Sequence, residues 1–202
     1  MEYAKTISKE LLESLPPVSY DGNIVVVNTI EQAEAAVVHL RSAGVVLGFD
    51  TETRPSFQRG VSYKVSLVQL SAGKTCYLFR LCKMKGLGPL KALFEDPGVV
   101  KVGLSTHDDF ANLRKWEPFT QQGVIEIQQR VPELGIEDKS LAKVYAILFG
   151  KKISKRQRLT NWEAETLTDK QMAYAALDAA ACVEIYHELL RLGGRKILSQ
   201  GI

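Results

Sequence analysis

Val45-Val46-Leu47-Gly48-Phe49-Asp50-Thr51-Glu52-Thr53 is an apolar run that ends on two carboxylates, two residues apart. A run this short and β-branched reads as a buried strand over 45–50. Side chains on a strand alternate faces, so Asp50 and Glu52 aim at one side. Two acids held together repel each other, and a divalent cation is the usual compensation. Asp-x-Glu alone also fits a strand that runs out into a polar loop.

Outward from that strand, the pattern alternates strands and helices and then turns helical. Residues 5–14 read as a short helix stopped by Pro16-Pro17, 24–27 as a strand, and 31–42 as a helix with Gly44 just past its end. The polar stretch from Arg54 to Lys64 is a loop. Residues 65–70 and 75–79 form a hairpin by their spacing. Further strands are expected at 99–104 and 124–128, and helices at 89–94, at 105–115 with Ser105 or Thr106 as cap, and at 141–149. Thr168 and Gln171 form a capping box, with Leu167 and Met172 as its staple, for a last helix that ends at Gly193-Gly194. The expected fold is an α/β layered domain with a mixed sheet.

With 202 residues, 46% of them hydrophobic, the chain reads as one domain, a core of about 24–192 preceded by a short helical extension over 1–20. A net charge of +3 does not by itself select a partner. Cys76, Cys82 and Cys182 are an odd set without zinc spacing, so they read as core thiols in a reducing compartment. The first residues carry acids and no continuous apolar stretch, so no signal peptide is expected there, and no segment has the length of a membrane span. A cytoplasmic setting is expected. Oligomeric state has no sequence signal.

The last helix places Tyr174 and Asp178 on one face, four residues apart, among Ala173, Ala175, Ala176, Ala179, Ala180 and Ala181. Small residues let a helix approach a sheet closely, and a carboxylate there is costly unless paired or metal-bound. Asp108 and Asp109 open a helix after a buried strand, where either also suits the helix dipole. Local physics does not choose between them.

Three blocks, FDTET, VGLSTHDDFANL and LTNWEAETLTDKQMAYAALDAAACVEIY, stand in an order and spacing that resembles the DEDD-type 3'-5' exonucleases, in particular the ribonuclease D group and the exonuclease domain of Werner helicase. The similarity spans Ile24 to Leu190. The resemblance implies a ribonuclease H-like fold with a mixed five- to six-stranded sheet flanked by helices. It selects Asp109, six residues after Gly103, over Asp108. With Ala at 173 and Tyr at 174, the chain is similar to the tyrosine branch. The implied catalytic set is Asp50, Glu52, Asp109, Tyr174 and Asp178, the four acids holding two Mg²⁺ or Mn²⁺ ions. The implied reaction removes nucleoside monophosphates from the 3' end of DNA or RNA. Some relatives place a Leu wedge where this chain has Ser56, with Phe57 beside it. The 202 residues hold neither a Werner-type helicase nor a ribonuclease D-type helical domain, so grip on substrate is expected to come from elsewhere.

From Lys139 to Asn161 there are basic residues and no acid. Within that stretch Lys151, Lys152, Lys155, Arg156 and Arg158 are candidate phosphate contacts. Trp162 is a candidate base stacker, although such a residue is more often core, and Arg54 is a candidate contact to the terminal nucleotide. His107 lies near Asp109 without a clear role. Two rival readings remain at this level: a nucleic-acid-binding module without turnover, and a phosphatase of the haloacid dehalogenase type, in which Asp50 would be a nucleophile.

Overall fold

The computed structural model describes residues 3–193. The Gly194 half of the expected helix stop and both extreme ends of the expected domain lie outside them.

The elements in chain order are α1 (Lys9–Ser14), β1 (Asn23–Val27), α2 (Ile30–Ala43), β2 (Val46–Thr53), β3 (Val65–Ala72), β4 (Thr75–Arg80), α3 (Leu81–Met84), α4 (Leu90–Phe94), β5 (Val100–Gly103), α5 (Thr106–Leu113), β6 (Val124–Glu126), α6 (Ile127–Arg130), α7 (Leu141–Phe149) and α8 (Asp169–Gly193). The strands form one sheet in the order β1-β4-β3-β2-β5-β6. The β2-β3-β4 meander is antiparallel, while β1 joins β4, and β5 and β6 extend from β2, in parallel. This is the mixed sheet of a ribonuclease H-like fold.

Alternation along β2 divides its side chains between two layers. Leu47 and Phe49 face a core that includes Leu40 of α2, Phe94 of α4 and Phe110 of α5. Phe49 stacks on Phe110 with ring centroids 4.6 Å apart. The opposite face is covered by α8, whose Ala175, Ala176 and Ala179 pack on Leu67 and Leu78. α7 packs beside α8 through Val144 and Tyr145. β3 is buried along its whole length, as expected of a central strand covered on both sides.

Several boundaries differ from the sequence expectation. Helix α1 starts at Lys9, because Ser8 accepts from the Leu11 amide at 3.1 Å and sets the first turn there. β2 runs on through Glu52 to Thr53, paired with β3 and bulged at its end. The strand expected over 124–128 stops at Glu126, and the chain turns helical at Ile127. Neither Ser105 nor Thr106 caps α5 with its hydroxyl; the Glu126 carboxylate does so from across the fold, accepting from both backbone amides.

Candidate active site

Asp50 and Glu52 leave β2 on the face covered by α8, and Asp178 descends from α8 toward them. Ligating oxygens of Asp50, Glu52 and Asp178 all lie within 4.8 Å of one another. The approach depends on Gly48: a Cβ there would lie 2.0 Å from the Ala179 carbonyl oxygen. Asp178 is 6% exposed and Glu52 7%, so these acids have little water around them. The start of α8 is held by the expected capping box, with the Thr168 amide donating to Gln171 Oε1 at 3.0 Å and the Gln171 amide to Thr168 Oγ1 at 3.2 Å.

Asp109 comes from the opposite layer. It stands beside the other three acids rather than among them, with its Oδ1 accepting from Thr51 Oγ1 at 2.5 Å. Its helix begins in a tight turn. Ser105 has φ 65°, in the left-handed region. A Cβ on Gly103 would lie 2.8 Å from the Phe49 carbonyl oxygen. Glu126 closes that turn, accepting from the Ser105 amide at 3.0 Å and from the Thr106 amide at 2.7 Å and hydroxyl at 2.8 Å. Sequence reasoning missed Glu126. Its sole sequence signal was an acid at the end of a strand, which is too common to single out.

Burial and mutual repulsion shape the electrostatics. Burial, then the charges of Asp178, Asp109 and Glu52, push the Asp50 carboxyl well above the ordinary range. Burial and the same neighbours Asp178 and Asp109 raise Glu52 to about 9, against an opposing pull from Arg158. Burial raises Asp178, while Tyr174 and Lys155 draw it back down. Asp109 is raised to about 7, chiefly by burial. Burial and the charges of Asp178 and Glu52 push the Tyr174 phenol above its ordinary value, so it keeps its proton at neutral pH. Three converging carboxylates whose repulsion is only partly offset form an oxygen-only donor set, which fits a hard divalent cation such as Mg²⁺ or Mn²⁺ better than zinc.

The acids form one wall of a cleft of about 370 Å³. Lys139, Lys155 and Arg158 line it as well, so two of the candidate phosphate contacts stand at the site. The others do not line it. Lys152 donates instead to the Glu13 carbonyl, and Lys151 and Arg156 are exposed outside the cleft. Arg54 is engaged by Glu163 at 3.3 Å and lies over the Tyr63 ring, 4.7 Å from its centroid. Trp162 is a correction. Its side chain is fully buried, packed near the Tyr174 ring with centroids 6.1 Å apart, and has no face open to a base. Trp162 packs with Tyr174 in the same core cluster. His107 is exposed and lines a different cleft.

Fold and site together define a ribonuclease H-like fold with a carboxylate cage between its central strand β2 and helix α8. The chain belongs to the 3'-5' exonuclease family, which its residues 24–193 match. This membership sets aside the phosphatase alternative. Exonuclease 3'-5' domain-containing protein 2 of Drosophila melanogaster is 36% identical over 150 residues, covering 72% of this chain and 25% of that protein. The bifunctional 3'-5' exonuclease/ATP-dependent helicase WRN of Mus musculus is 30% identical over 199 residues, covering 93% of this chain and 14% of that protein. The chain therefore spans a quarter or less of the length of these relatives. Among solved structures, Escherichia coli RNase D superposes with a TM-score of 0.75 at 23% identity, covering 84% of this chain and 44% of that one. The Aedes aegypti Nibbler EXO domain does so with a TM-score of 0.75 at 22% identity, covering 84% and 88%. Among the described residues, no helix is long and apolar enough to cross a membrane.

Proposed function

We propose that this chain is a single 3'-5' exonuclease domain that hydrolyses the terminal phosphodiester of DNA or RNA and releases nucleoside monophosphates. The observation that carries this reading is the convergence of Asp50, Glu52 and Asp178 within 4.8 Å in a cleft whose remaining walls bear lysine and arginine. Asp50, Glu52 and Asp178 would hold two Mg²⁺ or Mn²⁺ ions, with Asp109 supporting one of them through water. Bound cations would supply Lewis-acid polarisation of the phosphodiester and would lower the pKa of the attacking water, so that it loses a proton more readily. Tyr174, protonated and lining the same cleft as the acids, orients the attacking water by donating or accepting a hydrogen bond; it is not the base. Lys155 and Arg158 face the acids and draw in the phosphate backbone, and the exposed Lys151 and Arg156 extend that basic surface.

The cleft volume is near the low end for ligand sites and suits one terminal nucleotide. Phe57, 84% exposed on the loop that follows β2, is the more exposed of that loop's apolar side chains and the one it offers to the terminal base. The free thiols Cys76, Cys82 and Cys182 support a reducing, cytoplasmic setting.

The deciding experiment incubates end-labelled DNA and RNA oligonucleotides with the protein in Mg²⁺, Mn²⁺ or EDTA. Mononucleotide release from the 3' end with either metal and none in EDTA is expected, with loss of turnover in Asp50→Ala and Asp178→Ala. Full activity in either variant, or binding of oligonucleotide with no cleavage in any metal, would sink the reading; the latter would favour a binding module.

A further inference from the structure

Gln69 of β3 stands directly across the sheet from Asp50 of β2. It is fully buried, and neither its Nε2 nor its Oε1 has a hydrogen-bond partner among the described residues. Its face of the sheet is known from its neighbours. Gly48 lies under Ala179, and Leu67 packs on Ala175 and Ala179, so Asp50 and Gln69 both face α8. Directly opposed residues in an antiparallel pair have Cβ atoms about 4.5–5.5 Å apart, well within the span of a glutamine side chain. A buried amide left without partners destabilises the fold, a cost that a leucine or methionine here would avoid. The other cross-strand neighbour, Leu78, is apolar and offers its side chain no bond. Asp50 is thus the charged group directly across the strand pair from this amide.

We infer that Gln69 is a positioning residue, whose Nε2 donates to the Asp50 carboxylate when that carboxylate holds a cation. This rests on the exonuclease reading above and adds a second layer to it. A carboxylate that ligates metal has oxygen lone pairs left over, and a donor behind it fixes its rotamer. Gln69 reaches Asp50 from the buried side, away from the cleft, so it holds the ligand without entering the substrate's space. Its amide is neutral, so it orients Asp50 without cancelling the charge that attracts the cation.

The test compares wild type with Gln69→Met, which keeps the length and removes the amide. Thermal unfolding is followed in EDTA, and Mn²⁺ affinity is measured by calorimetry on the metal-free proteins. The expected result is a Tm in EDTA equal to or above wild type, together with Mn²⁺ binding weakened about 10-fold or more. A folded Gln69→Met protein with wild-type Mn²⁺ affinity overturns the inference, whatever its Tm. Should the variant not fold, the wild-type protein decides by NMR. One Gln69 side-chain amide proton should move downfield on addition of Mg²⁺ and return with EDTA; two unmoved protons overturn the inference. A wild type that binds neither cation removes the exonuclease reading itself, before any variant is compared.

Discussion

The Ala179 carbonyl oxygen of α8 lies 2.0 Å from the point where a Cβ on Gly48 would stand. This one contact sets how closely the helix bearing Asp178 lies on the strand bearing Asp50. The obstacle to a side chain is backbone, which cannot rotate away. Gly48→Ala should therefore lift or tilt α8. The expected cost is about 1–3 kcal/mol in stability, with a loss of exonuclease turnover greater than that destabilisation alone explains. Denaturant unfolding and turnover on one oligonucleotide, measured at a temperature where the variant is fully folded, check it. A variant with wild-type turnover would mean that the close approach is not needed for the cage.

The acid cage should also make the metal-free protein lose stability as pH rises. Asp109 and Asp178 move from 3.8 in the unfolded reference to about 7 in the fold, and Glu52 moves from 4.5 to about 9. Between those limits the folded state holds protons that the unfolded chain has released. The unfolded state then binds fewer protons, so the free energy of unfolding falls with pH. The slope is up to about 1.4 kcal/mol per pH unit for each proton so held. In EDTA, Tm should drop from pH 5 to pH 7. Saturating Mg²⁺ should oppose the drop, because cations take the place of the protons. A Tm in EDTA that rises over this range would contradict the raised carboxyls.

How much of this was legible in the sequence depended on how local the cause was. The β2 run, the β3-β4 hairpin and the Thr168-Gln171 box each rest on residues a few positions apart, and all appear in the fold. The convergence of Asp50 and Glu52 with Asp178 had no local cause, and the resemblance to a family brought those residues together. The end of β6 was missed because Glu126 turns aside to bind Ser105 and Thr106, about twenty residues earlier in the chain. Trp162 lies in a stretch without helical or strand period, so no pattern could say whether its ring faced in or out. The basic stretch read as one surface but is divided. Lys152 is bound to the N-terminal segment, while Lys155 and Arg158 face the acids.

That division makes the basic residues separable by experiment. Lys155→Ala and Arg158→Ala should each weaken oligonucleotide binding and flatten the plot of log affinity against log salt, by about 0.7 per phosphate contact on a single strand. Arg156→Ala, outside the cleft, should change the slope less, and Lys152→Ala should leave it unchanged while loosening the N-terminal segment. Fluorescence anisotropy titrations in Ca²⁺ at three salt concentrations separate these outcomes. Equal slopes for Arg158→Ala and wild type would return the basic loop to a solvated surface.

Glu126 acts on the cage at one remove. Its carboxylate accepts from the first amides of α5, and α5 carries Asp109 to within 2.5 Å of Thr51. Ser105, in a left-handed conformation that favours glycine, depends on that closure. Glu126→Gln keeps the size and one acceptor but loses the charge that suits a helix N-terminus. A stability loss of about 0.5–2 kcal/mol is expected, together with lower turnover, because Asp109 is no longer held at its place beside the other acids. Glu126→Ala should show both effects more strongly. The decisive comparison is with Thr51→Val, which removes the other support of Asp109 and leaves the cap intact. If Asp109 is the route by which Glu126 acts, both variants lower turnover in the same way, and the double variant loses less than the product of the two.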